Sequence, residues 1–246
     1  RSRMRRIGQE WSCRDPIALP ENRLLQPAGS QADRSEVQME RKRVGIVLFE
    51  DIEVLDFCGP FEVFSTTRLN EEGRREEPSP FEVLLVAERP GPVTATGGMT
   101  VLPHCTFENC PRLDVVVAPG GWGTRRELKN PVMLDWLRAR AEEAETVTAV
   151  CTGSMLLGFA GLLDGLHATT HWRSLDWMRD SFPSVTVEYS KHFVEDGRVF
   201  TSAGISAGID MALKVVARYF GEDIARATAR HMEFAYPETD VRRIQL

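Results

Sequence analysis

The chain has 246 residues, of which 42% are hydrophobic and 27% charged, and a formal net charge of −6 at pH 7. That length suits one large α/β domain or two small ones, and the acidic balance argues against nucleic acid as the main partner, because phosphate contacts need a basic face. No apolar run approaches the roughly 20 residues that span a bilayer and no basic start followed by an apolar core marks an export signal, so the expectation is a cytoplasmic protein with no membrane partner.

Residues 1–42 are rich in Arg, Glu, Gln, Ser and Pro and carry no sustained period. They read as a flexible N-terminal extension, with Arg1, Arg3, Arg5 and Arg6 as a solvated basic start. Residues 43–246 read as one α/β domain. Val44–Phe49 is a continuous apolar run, as in a parallel strand covered on both faces. Gly59-Pro60 then opens a predicted helix through Phe61, Val63 and Phe64, and Phe81–Ala87 is a second strand. Val93–Thr96 and Met99–Leu102 flank Gly97-Gly98, a two-residue hairpin signal. Leu113–Ala118 is a buried strand that ends in Pro119-Gly120-Gly121, and Pro131–Ala144 is an amphipathic helix with proline in its first turn.

The stretch Val147–Val150, Cys151, Thr152-Gly153-Ser154, Met155–Leu157 reads as a buried strand, a sharp turn and a helix start. A short strand follows at Ala168–Thr170, a helix at Trp172–Phe182 and a strand at Val185–Tyr189. Lys191–Val194 and Arg198–Thr201 pair across Asp196-Gly197, and Gly208–Phe220 and Glu222–Phe234 are closing helices. Strands alternating with helices predict a mostly parallel sheet with helices on both faces.

Cys151 carries the chemistry in this reading. A cysteine at a strand-to-helix turn lies over the unsatisfied first amides of the helix, which favour a thiolate and make it a candidate nucleophile; the alternative is a buried core thiol. The other cysteines, Cys13, Cys58, Cys105 and Cys110, fit neither a disulfide framework nor a zinc pattern. Loops that leave the carboxyl ends of neighbouring strands converge on one pocket, which would bring Asp56, Gly120, Gly121 and Cys151 together. Asp56, between Leu55 and Phe57, reads as a desolvated general acid or as a helix N-cap ahead of Gly59-Pro60. The Gly120 and Gly121 amides, with that of Thr152, could stabilise an anion, or the glycines could serve a plain turn. His171 is the best-placed base among the histidines, or a structural cap for the next helix, and Trp172 lines either an apolar pocket or the core. No nucleotide phosphate cradle is present in the sequence.

Taken together, Leu55–Pro60, Ala118–Gly121, Val150–Ser154, Ala168–Trp172 and Thr201–Asp210 resemble the ThiJ/PfpI superfamily, the class I glutamine amidotransferase-like proteins, over about residues 43 to 236. The resemblance is to the isonitrile hydratase branch and the related sensor domains of AraC-type regulators. It implies a flavodoxin-like three-layer sandwich with a nucleophile elbow at Cys151, Asp56 as catalytic acid, Thr152 as assisting residue, and the Gly121 and Thr152 amides as donors. It also implies a small-molecule isonitrile substrate, no metal or cofactor, and a homodimer. Thr152 stands where family peptidases carry His, and Asp56 where deglycase-type members carry Glu, which favours the hydratase branch. A helix-turn-helix is not read after residue 234, so the regulator likeness is taken as likeness of a sensing domain alone.

Overall fold

The computed structural model describes residues 40–245. The predicted extension and Cys13 lie outside the described residues up to position 39. The first strand begins one residue before the predicted domain edge, and Arg41 donates to the carbonyls of Ser79 (2.8 Å) and Phe81 (2.5 Å).

In chain order the strands are β1 (Lys42–Leu48), β2 (Phe81–Ala87), β3 (Val93–Thr94), β4 (Thr100–Val101), β5 (Cys105–Thr106), β6 (Val115–Ala118), β7 (Thr146–Val150), β8 (His167–Ala168), β9 (Thr186–Val187), β10 (Phe193–Asp196) and β11 (Val199–Ser202). The helices are α1 (Val54–Thr66), α2 (Thr124–Glu127), α3 (Pro131–Glu143), α4 (Gly153–Phe159), α5 (Leu175–Ser181), α6 (Ala207–Phe220) and α7 (Glu222–His231). The main sheet runs β10-β11-β7-β6-β1-β2-β5, and only the β10–β11 pair is antiparallel. Its five long parallel strands, counted as they occur in the chain, have the 2-1-3-4-5 order of a flavodoxin-type sheet, whose switch point lies between the first and third strands, here β1 and β6. The chain turns toward β2 after β1 and toward β7 after β6. Right-handed crossovers therefore put α1 on one face and α3 and α4 on the other. In keeping with this, α1, α6 and α7 pack together, as do α3 and α4. β3–β4 and β8–β9 form two small separate sheets.

The central strands are covered on both faces, which is why they read as apolar runs: every residue of β6 and β7 is buried. Phe81 is fully enclosed by Phe64, Tyr219 and Phe220, with ring centroids 4.9, 6.1 and 5.3 Å away. Asn130 caps α3 by accepting from the Val132 and Met133 amides, ahead of Pro131 at the first helical position.

Several boundaries differ from the sequence reading. α1 starts at Val54, so Gly59-Pro60 lies within it and Asp56 sits in its first turn as a buried residue, not at its N-cap. Gly59 is there for packing: a Cβ would fall 2.9 Å from Ile209 Cγ1 of α6. The Gly97-Gly98 hairpin exists, but Thr94 pairs with Thr100, so the loop has five residues. In the second hairpin Asp196 pairs with Val199, which moves the two turn residues to Gly197-Arg198. β8 is His167–Ala168 and leaves Thr169 and Thr170 as loop, while Trp172–Ser174 forms a 3-10 turn before α5. The edge strand β5 is too short to carry a period that sequence reading detects.

Truncation of Phe81 to alanine removes the ring at the centre of this cluster. The expected loss is about 3–5 kcal/mol in urea unfolding with an unchanged slope; a loss under about 1 kcal/mol would show that the ring is not the packing centre.

Candidate active site

The carboxyl ends of β1, β6 and β7 lie side by side, and the segments leaving them carry Glu53 and Asp56 at the start of α1, Gly120 and Gly121, and Cys151 and Thr152. Cys151 has φ +58, a left-handed conformation uncommon outside glycine, and so stands on a true elbow between β7 and α4. Such strain persists only where neighbours fix it. The Cys151 amide approaches the carbonyls of Ser202 and Ala203 at 3.2 Å each. Its carbonyl accepts from Ser154 Oγ at 2.7 Å and Thr170 Oγ1 at 2.8 Å. At Gly153 a Cβ would run into the Ala118 carbonyl, so the elbow can sit close to β6 only with glycine there.

Asp56 is fully buried. Its Oδ2 accepts from the Gly120 amide at 2.9 Å, while Oδ1 is enclosed without a regular hydrogen-bond partner. The carboxyl faces Cys151 and the Ile205 amide. Burial, reinforced by the nearby Glu53 carboxylate, pushes Asp56 up to about 7. Burial and the same Asp56 charge push the Cys151 thiol well up, against the opposing pull of the Thr152 and Ile205 amides. The expected resting thiolate is therefore corrected: desolvation outweighs the helix start and keeps the proton on the thiol, beside a carboxyl that itself titrates near neutrality. This sulfur is 6% exposed as a residue, yet it opens onto a pocket of about 390 Å³.

The glycine donors are also corrected. The Gly120 amide is committed to Asp56, and the Gly121 amide donates to Thr152 Oγ1 at 3.1 Å. The Thr152 hydroxyl in turn bonds Thr124 Oγ1 at 3.0 Å, so it ties the glycine loop to the elbow. Gly120 must lack a Cβ, which would lie 2.6 Å from the Thr152 amide nitrogen and 2.9 Å from Asp56 Oδ2. The amides that remain for an anion at the sulfur are those of Thr152 and Ile205. Ile205, at φ +60, is a β-branched residue in a left-handed conformation and was missed in the sequence.

His171 lines the pocket but its Nδ1 accepts from the Arg173 amide at 3.3 Å, which is the structural-cap alternative. Burial and the Arg173 and Arg242 charges lower its pKa. With Nδ1 used as an acceptor the neutral ring carries its proton on Nε2, which leaves no lone pair to take a proton from the thiol. Trp172 is 43% exposed and lines the pocket rather than the core, as does Trp122 at 67%. Arg125 and Arg173 also line the pocket. A further contributor comes from the far end of the chain: Arg242 donates to Thr169 Oγ1 (2.8 Å) and the Thr170 carbonyl (3.2 Å), and so braces the segment that holds the elbow carbonyl. Among the described residues no group of three His, Cys, Asp or Glu side chains is placed to hold a metal, and no helix is long and apolar enough to cross a membrane.

Known proteins carry the same arrangement of chain. The sequence pattern of the DJ-1/PfpI family matches residues 42–218. This chain belongs to the DJ-1/PfpI family. It is 37% identical over 194 residues to the isonitrile hydratase of Pseudomonas putida, covering 78% of each chain. It is 36% identical over 135 residues to the HTH-type transcriptional regulator GbdR of Pseudomonas aeruginosa, 55% of this chain but 36% of the regulator. A crystal structure of a ThiJ/PfpI family protein from Pseudomonas syringae superimposes with a TM-score of 0.71 at 28% identity, covering 87% of this chain and 85% of that one. The family and the α/β sheet expected from the sequence are thus established.

The Asp56 shift has a stability signature. Its folded value of about 7 lies above the ordinary 3.8, so between those values the folded state holds more protons than the unfolded one and stability falls as pH rises. Relative to Asp56→Asn, the wild type should lose stability between about pH 4 and 7 and then level off, as read by urea unfolding at several pH values. A difference that stays constant with pH would contradict a raised carboxyl.

Proposed function

We propose that the protein hydrates isonitriles, R–N≡C, to N-substituted formamides through Cys151 and Asp56. The observation that carries this reading is the thiol paired with a buried carboxyl near pH 7, in a chain 37% identical to an isonitrile hydratase. A group titrating close to neutrality can both take and return a proton. Asp56 accepts the S–H proton as the sulfur adds to the terminal isonitrile carbon, then returns it to that carbon, giving the thioimidate R–N=CH–S on Cys151. Water adds to the same carbon. One of its protons passes to nitrogen and the other to sulfur as the C–S bond breaks, which leaves R–NH–CHO and the free thiol. The Thr152 and Ile205 amides offset negative charge developing on sulfur. Thr152 acts in this scheme through its amide, with its hydroxyl holding the Gly121 loop. Gly120 holds Asp56, and His171 and Trp172 shape the pocket.

A second reading, metabolite sensing without turnover, draws on the likeness to the transcriptional regulator. Peroxide sensing suits the site less well, because sensor thiols have low pKa values and open access, whereas this one is buried and raised.

Because the carboxylate must be deprotonated to accept the thiol proton, kcat/KM for cyclohexyl isocyanide should climb with pH through about 7 and then plateau. Cys151→Ala should abolish turnover, and Asp56→Asn should lower kcat by about a thousandfold or more, as for members of a coupled catalytic unit. Full activity in Cys151→Ala ends the hydratase reading. Tight isonitrile binding with no turnover in the wild type favours sensing.

A further inference from the structure

The pocket above Cys151 has a chemical polarity that the hydration reaction does not use. It is lined by Cys151, Thr152 and Ile205, by the rings of Trp122, Trp172 and His171, and by Arg125 and Arg173. The Arg125 guanidinium stacks 4.7 Å from the Trp122 ring centroid and 5.6 Å from that of Trp177. The Arg173 guanidinium lies 4.8 Å from the Trp172 ring. Stacking leaves the in-plane N–H groups of a guanidinium free and restricts their orientation.

Neither arginine forms an ion pair among the described residues. The contrast with Arg126, adjacent to Arg125 in the chain, is direct: it reaches Asp51 at 3.5 Å and Glu127 at 3.0 Å. Among the described lining residues the one carboxylate is Glu53, which is near enough to Asp56 to raise it. His171 is held toward its neutral form by burial and by Arg173. Two guanidinium groups held over tryptophan rings, without an ion pair among the described residues, thus line a partly aromatic pocket in a protein whose net charge is −6. A neutral, all-hydrocarbon substrate would offer their N–H groups no anionic acceptor, whereas a carboxylate matches their fork geometry.

Building on the hydratase reading, we propose that the substrate class is an isonitrile whose hydrocarbon body ends in a carboxylate remote from the reacting carbon, recognised by Arg125 and Arg173. The body lies between Trp122 and Trp172 while the isonitrile carbon reaches the sulfur.

The test compares 4-isocyanobenzoate and 4-(isocyanomethyl)benzoate with their methyl esters. Hydrogen bonds to a charged group are about twice as strong as neutral ones, so each acid should exceed its ester in kcat/KM by about tenfold or more. The preference should shrink as salt rises. In Arg125→Met and Arg173→Met, which keep a side chain over each tryptophan, the acid-to-ester ratio should fall toward one, and Arg173→Lys should restore part of it. Binding of 4-formamidobenzoate and its methyl ester, followed by calorimetry, reads the same contrast without turnover. Hydration of acids and esters at equal rates overturns the carboxylate proposal and leaves the hydratase reading intact. No turnover of any isonitrile, with the formamide acid still bound more tightly than its ester through the arginines, removes the hydratase reading and keeps anion recognition. Equal binding of acid and ester in calorimetry overturns the proposal whatever the turnover.

Discussion

The enclosed carboxyl of Asp56 is the group around which this site is assembled. Removing a carboxylate from water is unfavourable unless donors replace the water, and here one oxygen receives a single backbone amide while the other receives none of regular geometry. That deficit brings the group close to neutrality at pH 7. Each surrounding feature serves to maintain it. Gly120 has no Cβ because the space between Asp56 and the Thr152 amide has no room for one. α1 begins early enough to bury Asp56 in its first turn. The elbow brings a thiol against the carboxyl at the expense of a left-handed cysteine.

Proximity of the two acids changes what each can do. In isolation a thiol at a helix start would be expected to ionise. Buried beside a carboxyl it keeps its proton, since desolvation and two adjacent negative charges both disfavour the thiolate. The site therefore holds a thiol and an acceptor tuned near neutrality, an arrangement suited to moving one proton rather than to presenting a permanent anion. The framework that enforces it is distributed: Thr170 and Ser154 fix the elbow carbonyl, Thr152 and Thr124 lock the glycine loop, and Arg242 braces the Thr169–Thr170 segment from the end of the chain. The Thr-Thr-His-Trp run is thus chiefly a scaffold. Its threonines hold the elbow and its histidine caps a turn, while the histidine and the tryptophan both line the pocket.

The sequence determined the order of strands and helices, because buried parallel strands must be apolar along their whole length and amphipathic helices must repeat with their turn. It also singled out Cys151, Asp56 and the glycine pair, since small residues after a β-branched run are explained by a turn with close backbone approach. It misplaced the start of α1, because Gly59-Pro60 looks like a helix boundary when the partner that requires the glycine, Ile209, lies 150 residues away. The tertiary structure alone decided which amides were free, that burial raises the thiol, that Arg125, Arg173 and Ile205 line the pocket, and that Arg242 braces the segment beside it. Hydrogen-bond partners, desolvation and unpaired charge depend on distances between segments remote in the chain, and no local pattern of residues encodes those distances.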